Sequence, residues 1–173
     1  MRIIAGSRKG HRIAAPKGDA TRPTSDFVRE AAFNLIGPVD GASVVDLYAG
    51  SGAMGLEALS RGAERCVFVE SDREACHTIN ANLDKLRLEG RVLCQDVRRA
   101  LAAERDGAYD LVLLDPPYAD SPDDRLARHL ARIVAVDGLL VWETAAAAEP
   151  VLEGLNVRTS RRYGSKRLTL FEP

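Results

Sequence analysis

From Val44 onward, short apolar runs and amphipathic stretches take turns along the chain. SVVDLY, RCVFVES, RVLCQD, YDLVLLD and GLLVWET are apolar without polar alternation, which predicts strands covered on both faces. Between them AMGLEALSRG, a stretch from about Arg73 to Leu86, VRRALAAER and a stretch from about Pro122 to Val134 carry apolar residues at helical spacing. Strict alternation of this kind predicts a doubly wound α/β sheet. Upstream, RIIAG and HRIAAP around a Gly-containing turn predict a short hairpin, and Gly18 to Pro23 reads as a loop. TSDFVREAAFNLI then predicts a helix capped by Thr24 or Ser25, with Phe27, Val28, Ala31, Ala32, Leu35 and Ile36 as its apolar stripe and Gly37-Pro38 as its stop. At the other end NVRTSRRYGSKRLTLF offers two strand-like runs around Gly164 with no helix between them, so an antiparallel hairpin should close the sheet.

A chain of 173 residues fits one domain, 1–173, with residues 1–40 as an N-terminal hairpin-and-helix extension and 41–173 as the core. No apolar run reaches the ~18 to 20 residues of a membrane span, and the N-terminus turns basic and Gly-rich too early for a signal peptide. A cytoplasmic protein without membrane contact is expected, and a monomer. Cys66, Cys76 and Cys94 are odd in number and form no C-x-x-C pair, so they read as small core residues. His11, His77 and His129 lack metal-ligand spacing, and no metal site is expected. The net charge of -1 conceals basic ends on an acidic body: residues 1–29 sum to +5 and 157–173 to +4, leaving -10 between them. Such a distribution suits a polyanionic partner docking where the ends meet.

The loop in VVDLYAGSGAMG matches a dinucleotide fingerprint at Gly50, Gly52 and Gly55, with Glu70 20 residues beyond Gly50. Asp46 argues against that ligand. A carboxylate ending the first strand, four residues before Gly50, would repel a diphosphate on the helix N-terminus but suit a cation. S-adenosylmethionine, with its sulfonium and ammonium groups, meets the requirement. Glu70 then serves the ribose hydroxyls, and Asp96, ending the third strand, an adenine amine. Tyr48, Ser71 and Val97 adjoin these acids and are counted to the same crevice above the sheet.

The fourth strand runs into Asp115-Pro116-Pro117-Tyr118. Two prolines make a rigid loop whose carbonyls have lost competing N–H groups. An exocyclic amine of a nucleobase is a poor nucleophile because its lone pair is delocalised. Acceptance of its two hydrogens by Asp115 and the Pro116 carbonyl would let the nitrogen pyramidalise, and Tyr118 would stack on a base taken out of its helix. Asp at the first position argues against a glutamine side chain, which needs a partner that both donates and accepts. Two rivals stand beside an RNA substrate: amino methylation of DNA adenine, and a binding module of this fold without catalysis.

DLYAGSGAMGLEALSRGA, VFVESD, DPPY and RPTSDFVREAAFNLI together resemble the bacterial RsmD family, over nearly the whole length. The resemblance implies a class I S-adenosylmethionine-dependent methyltransferase: a Rossmann-like, seven-stranded, mostly parallel sheet with a terminal antiparallel hairpin. The implied reaction is methylation of the N2 amine of a guanine in small-subunit (16S) ribosomal RNA, with S-adenosylhomocysteine as product and an assembling or assembled 30S subunit as partner. It also implies that Asp46, Gly50, Gly52, Glu70 and Asp96 line the cofactor site, that Thr24 and Ser25 lie near its methionine end, and that Asp115 to Tyr118 hold the base. Phe27 stands where a basic or polar residue is commoner, and reads as a core residue of its helix. The expected RNA contacts are Arg2, Arg8, Lys9, Arg12, Arg22 and Arg29 at one end and Arg161, Arg162, Lys166 and Arg167 at the other, with internal salt bridges as the alternative for Arg22 and Arg29.

Overall fold

A computed structural model describes residues 1–16, 25–117 and 122–173. Seven strands form one sheet: β1 (Ser43–Leu47), β2 (Arg65–Glu70), β3 (Arg91–Cys94), β4 (Tyr109–Leu114), β5 (Val134–Ala145), β6 (Asn156–Tyr163) and β7 (Lys166–Glu172), in the spatial order β3-β2-β1-β4-β5-β7-β6. The first five pair in parallel, whereas β7 runs antiparallel to both β5 and β6, as the missing helix before the last strand requires. Strand order reverses between β1 and β4, which opens a crevice at their carboxyl ends.

The apolar runs bury both faces. Val44, Phe68, Leu111, Leu113 and Val141 face α1 (Asp26–Ile36), α2 (Ala53–Ser60) and α3 (Arg73–Leu86). On the opposite side Val45, Leu47, Val69, Val112 and Leu114 face α4 (Val97–Ala102) and α5 (Asp124–Ile133). A fully buried Leu such as Leu56 or Leu101 contributes about 1.5–3 kcal/mol. Among the described residues no helix is long and apolar enough to cross a membrane. Cys66 and Cys76 are buried as expected, but Cys94 ends β3 exposed.

Two local expectations change. The N-terminal hairpin is a single antiparallel bridge, Arg2 to Arg12, around a 3-10 turn at Gly6–Arg8. Ile3 N and Ile13 N donate across it to His11 O and Met1 O, and other groups of the segment turn to α2: the N–H groups of Ile4 and Ala5 donate to the Glu57 carboxylate (2.8 and 2.9 Å), and Ser60 Oγ bonds Ala5 O and Arg8 N. Gly6 lies so close that a Cβ would stand 1.8 Å from Ser60 O.

Helix α1 starts where expected, with Ser25 Oγ accepting from Val28 N, and ends at Gly37. Its buried face, however, is Val28, Arg29, Ala31, Ala32 and Phe33. Arg29 is fully buried: its guanidinium bonds Asp26 and the Arg2 carbonyl, and its Nε lies 3.5 Å from Glu57. Val28, Ala31 and Ala32 of the expected stripe are buried and Leu35 and Ile36 pack against the core, but Phe27 is 65% exposed and is not a core residue.

Removing Glu57 takes one carboxylate from buried Arg29 and leaves the N–H groups of Ile4 and Ala5 without their acceptor. Glu57→Ala should therefore lower unfolding stability by about 3–5 kcal/mol, read by urea denaturation.

Candidate active site

The chain leaves β1 through a strained turn. Tyr48 holds φ at +58°, a left-handed conformation that costs a non-glycine residue about 1–2 kcal/mol, and Gly50 and Gly52 continue it at +56° and +77°. Gly52 is the N-cap of α2 and brings no side chain to it, so the first N–H groups of the helix need outside acceptors. Asp46 supplies one from the strand below: its Oδ2 accepts from Gly55 N at 2.8 Å. Gly55 must be glycine because a Cβ would lie 2.4 Å from Phe68 Cε1 and 2.7 Å from Cys66 Sγ. The third fingerprint glycine thus serves helix–strand packing.

Burial drives the Asp46 carboxyl from 3.8 to about 8; the Gly55 N–H opposes the shift, and the neighbouring charges of Asp115 and Glu70 add to it. Glu70, ending β2, accepts from Gly50 N (2.9 Å) through Oε2 and from Ser71 N and Asp72 N (2.8 and 2.9 Å) through Oε1. Three of about four carboxylate lone-pair sites are engaged with backbone, so one is left for a ligand hydroxyl in this arrangement. Asp96 is exposed and caps α4, its Oδ1 accepting from Arg98 N and Arg99 N, with Val97 buried beneath it. Asp72 caps α3 in the same manner. Strands β1, β2 and β3 thus bring Asp46, Glu70 and Asp96 to one edge.

Asp115 and the two prolines follow β4 at that same edge. Tyr118, Thr24 and Arg22 lie outside the described residues. A cavity of about 20 Å³ lies between Asp46, Asp115, Glu143, Ala32, Met54 and Leu168. Glu143 was not anticipated. It lies in β5 opposite Leu168 of β7, and its Oε1 bonds Lys166 Nζ. Only the β5–β7 register reveals that a glutamate and a lysine 23 residues apart meet beside Asp115. A larger cavity of about 400 Å³, bounded by Phe33, Asp40 and Arg61, lies by the C-terminal end of α1 and holds none of the expected site residues.

The basic residues divide. Arg2, Lys9, Arg12, Arg161 and Arg162 are exposed. Arg29 has no surface with which to meet RNA, and the internal alternative holds for it. Arg8 directs its guanidinium onto the Leu86 and Arg87 carbonyls at the end of α3. Arg167 bonds Ala146 O and Ser160 Oγ, and Lys166 is committed to Glu143, so these three serve the fold. A second missed residue is Asn82, buried on α3. Its Oδ1 accepts from Ala14 N, and its Nδ2 donates to Ala14 O and to Ser51 O in the glycine loop, joining that loop to the N-terminal segment. No motif marks it, because its partners are 31 and 68 residues away.

The sequence and the fold are similar to those of known proteins. The family model described as Conserved hypothetical protein 95 matches residues 1–172. The chain is 48% identical to the Bacillus subtilis protein named "Putative rRNA methyltransferase YlbH", over 99% of this chain and 98% of that protein. It is 36% identical to the Ribosomal RNA small subunit methyltransferase D of Escherichia coli K12, over 68% of this chain and 60% of that protein's length. Among solved structures, one described as "Putative methyltransferase yhhF from Escherichia coli" superposes with a TM-score of 0.86 at 30% identity, covering 99% of this chain and 96% of that one.

A carboxyl whose folded pKa lies above its unfolded value adds stability below the unfolded value, and that contribution is lost as the pH climbs through the folded one. For Asp46 the window runs from 3.8 to about 8. Asp46→Asn, which keeps an acceptor for Gly55, should therefore flatten the fall in stability across that window, measured by urea denaturation at a series of pH values. A profile parallel to wild type would show that Asp46 keeps an ordinary pKa.

Proposed function

The chain belongs to the Conserved hypothetical protein 95 family, the RsmD family, and on that premise we propose that it methylates the exocyclic N2 amine of a guanine in small-subunit ribosomal RNA with S-adenosylmethionine. The observation that carries the reading is the convergence of Asp46, Glu70 and Asp115 on the carboxyl edge of β1, β2 and β4, at the point where strand order reverses.

The residues fit the cofactor's chemistry. When bound, S-adenosylmethionine supplies a methyl group on a sulfonium, in a molecule that also carries an ammonium and ribose hydroxyls. A buried carboxyl with its pKa near 8 has lost its hydration and regains a favourable environment on ionising beside a cation. Glu70 retains acceptor capacity for a hydroxyl, and Asp96 stands exposed one strand further along for the base of the cofactor. Thr24 and Ser25 are assigned to the methionine end, with Tyr48, Gly50, Gly52, Ser71 and Val97 forming the floor of the crevice.

On the substrate side, Asp115 accepts one hydrogen of the target amine and the Pro116 carbonyl the other. The Pro116–Pro117 peptide has no N–H, so it offers that carbonyl without a competing donor. Together the two acceptors stabilise positive charge as it develops on the amine nitrogen, and Tyr118 stacks on the base. The exposed arginines at both ends bind RNA phosphates. The enzyme acts as a monomer, on RNA free or within the small subunit.

The test is to incubate the protein with isotope-labelled S-adenosylmethionine and, in turn, unmodified ribosomal RNA, small subunits lacking the modification, and duplex DNA. Nucleosides from each digest are then identified by mass spectrometry. N2-methylguanosine from RNA or subunits is expected; N6-methyladenine from DNA would overturn the substrate. Asp115→Ala should lower turnover by about 100-fold or more while cofactor affinity stays near wild type. Cofactor affinity of the wild type should rise with pH toward about 8, with proton release on binding, and Asp46→Asn should abolish that dependence in calorimetry.

A further inference from the structure

Phe27 stands in the first turn of α1, 65% exposed. Its ring meets Tyr163 edge to face, with centroids 6.1 Å apart and planes at 73°. Such a contact covers one face of one ring and fixes both rings in place. Tyr163 ends β6 beside the Gly164 turn, opposite Lys166 of β7. Since β7 runs antiparallel to β5, its first residues lie at the carboxyl edge. Lys166 pairs with Ala145, two residues or ~7 Å beyond Glu143, which borders the cavity shared with Asp115.

The two rings therefore occupy the rim of the site where Asp115 and Pro116 receive a base. Charged residues flank them, with Asp26 and the exposed Glu30 on α1 and an arginine on either side. Alternation along β6 places the exposed Arg161 on the same face as Tyr163, and Arg2, 67% exposed, reaches Asp26 beside Phe27. A protein partner seeking an apolar contact would meet arginine on both sides, whereas a nucleic acid offers a π face for the rings and a phosphate for each guanidinium.

We propose that Phe27 and Tyr163 form a stacking platform for an unpaired nucleobase of the RNA adjoining the target nucleotide. The inference rests on the RNA reading of the site given above. A base presented to Asp115 must leave its helix, which unstacks its neighbour. The platform gives that neighbour a replacement surface, independent of its sequence, because every base has a π face.

The test compares Phe27→Ala, Phe27→Trp and Arg161→Ala with wild type for binding of single-stranded oligoadenylate and of an abasic chain of equal charge, over a range of salt concentrations. Phe27→Ala should weaken oligoadenylate binding about 10-fold with an unchanged salt dependence, and Phe27→Trp should restore it. Arg161→Ala should flatten the salt dependence. The new indole of Phe27→Trp should be quenched by oligoadenylate and not by the abasic chain. Cofactor affinity, unchanged in Phe27→Ala, establishes that the site below is intact. Equal affinity of Phe27→Ala and wild type would overturn the platform. Loss of binding to small subunits without loss on naked RNA would overturn it too and point to a protein partner. If the wild type still methylates ribosomal RNA in either case, the functional reading stands; a wild type that neither binds nor methylates RNA takes both readings down.

Discussion

One buried carboxylate, Glu57, holds together parts of the molecule that are far apart in sequence. It receives the backbone N–H groups of Ile4 and Ala5, bonds Arg61 one turn along its own helix, and faces Arg29 from α1. Neither Glu57 nor Arg29 has contact with water, and each is held by several partners: Arg29 by Asp26, the Arg2 carbonyl and Glu57, and Glu57 by Arg61 and the two backbone N–H groups as well, so the desolvation penalty is offset by a network. Helix α1 is thereby anchored to α2. Because α1 also carries Ala32 on the cavity wall and Phe27 on the rim, the placing of the crevice's outer side follows from this ion pair. The opposite end of α2 is fixed as firmly, with Gly55 pressed on Phe68 and bonded to Asp46.

The crevice stores electrostatic strain between these fixed points. Asp46, Asp115 and Glu143 share one small cavity, and only Lys166 is drawn among them by a described ion pair. The left-handed Tyr48 adds a conformational cost at the same place. Strain of this kind persists because the elements beneath it are fixed: β1 and β4 are paired along their length, and Gly55 of α2 is packed on Phe68. A cation entering the crevice lowers the energy of groups already held in position, with little reorganisation.

Much of this was legible in the sequence, for a physical reason. Strands buried on both faces must be unbroken apolar runs, and β1, β2, β4 and β5 announced themselves in that way, while the edge strand β3 showed the same run though none of its residues is fully buried; α3 occupies the stretch expected of it, and the antiparallel hairpin followed from the absence of a helix. The acids at strand ends were visible because alternation locates strand ends. What escaped were features decided by partners distant in the chain. A buried Arg29 and an exposed Phe27 on one helix both invert the usual sorting of polar and apolar positions. The N-terminal hairpin is tied to two side chains of α2 as well as to itself. Glu143 with Lys166, and Asn82 with Ser51, depend on register and on helix placement, neither of which leaves a local pattern.

The hairpin turn at Gly164 has a different kind of consequence. A Cβ there would meet nothing within 4 Å, and the turn projects from the edge of the sheet where the crevice opens. Residues inserted at that point would extend the rim by about 3.3 Å for every two while the register of β5, β6 and β7 stayed as it is. Within one fold, then, descendants of such a chain can alter their reach toward a large, irregular substrate by lengthening a single loop, with the buried acids beneath left undisturbed.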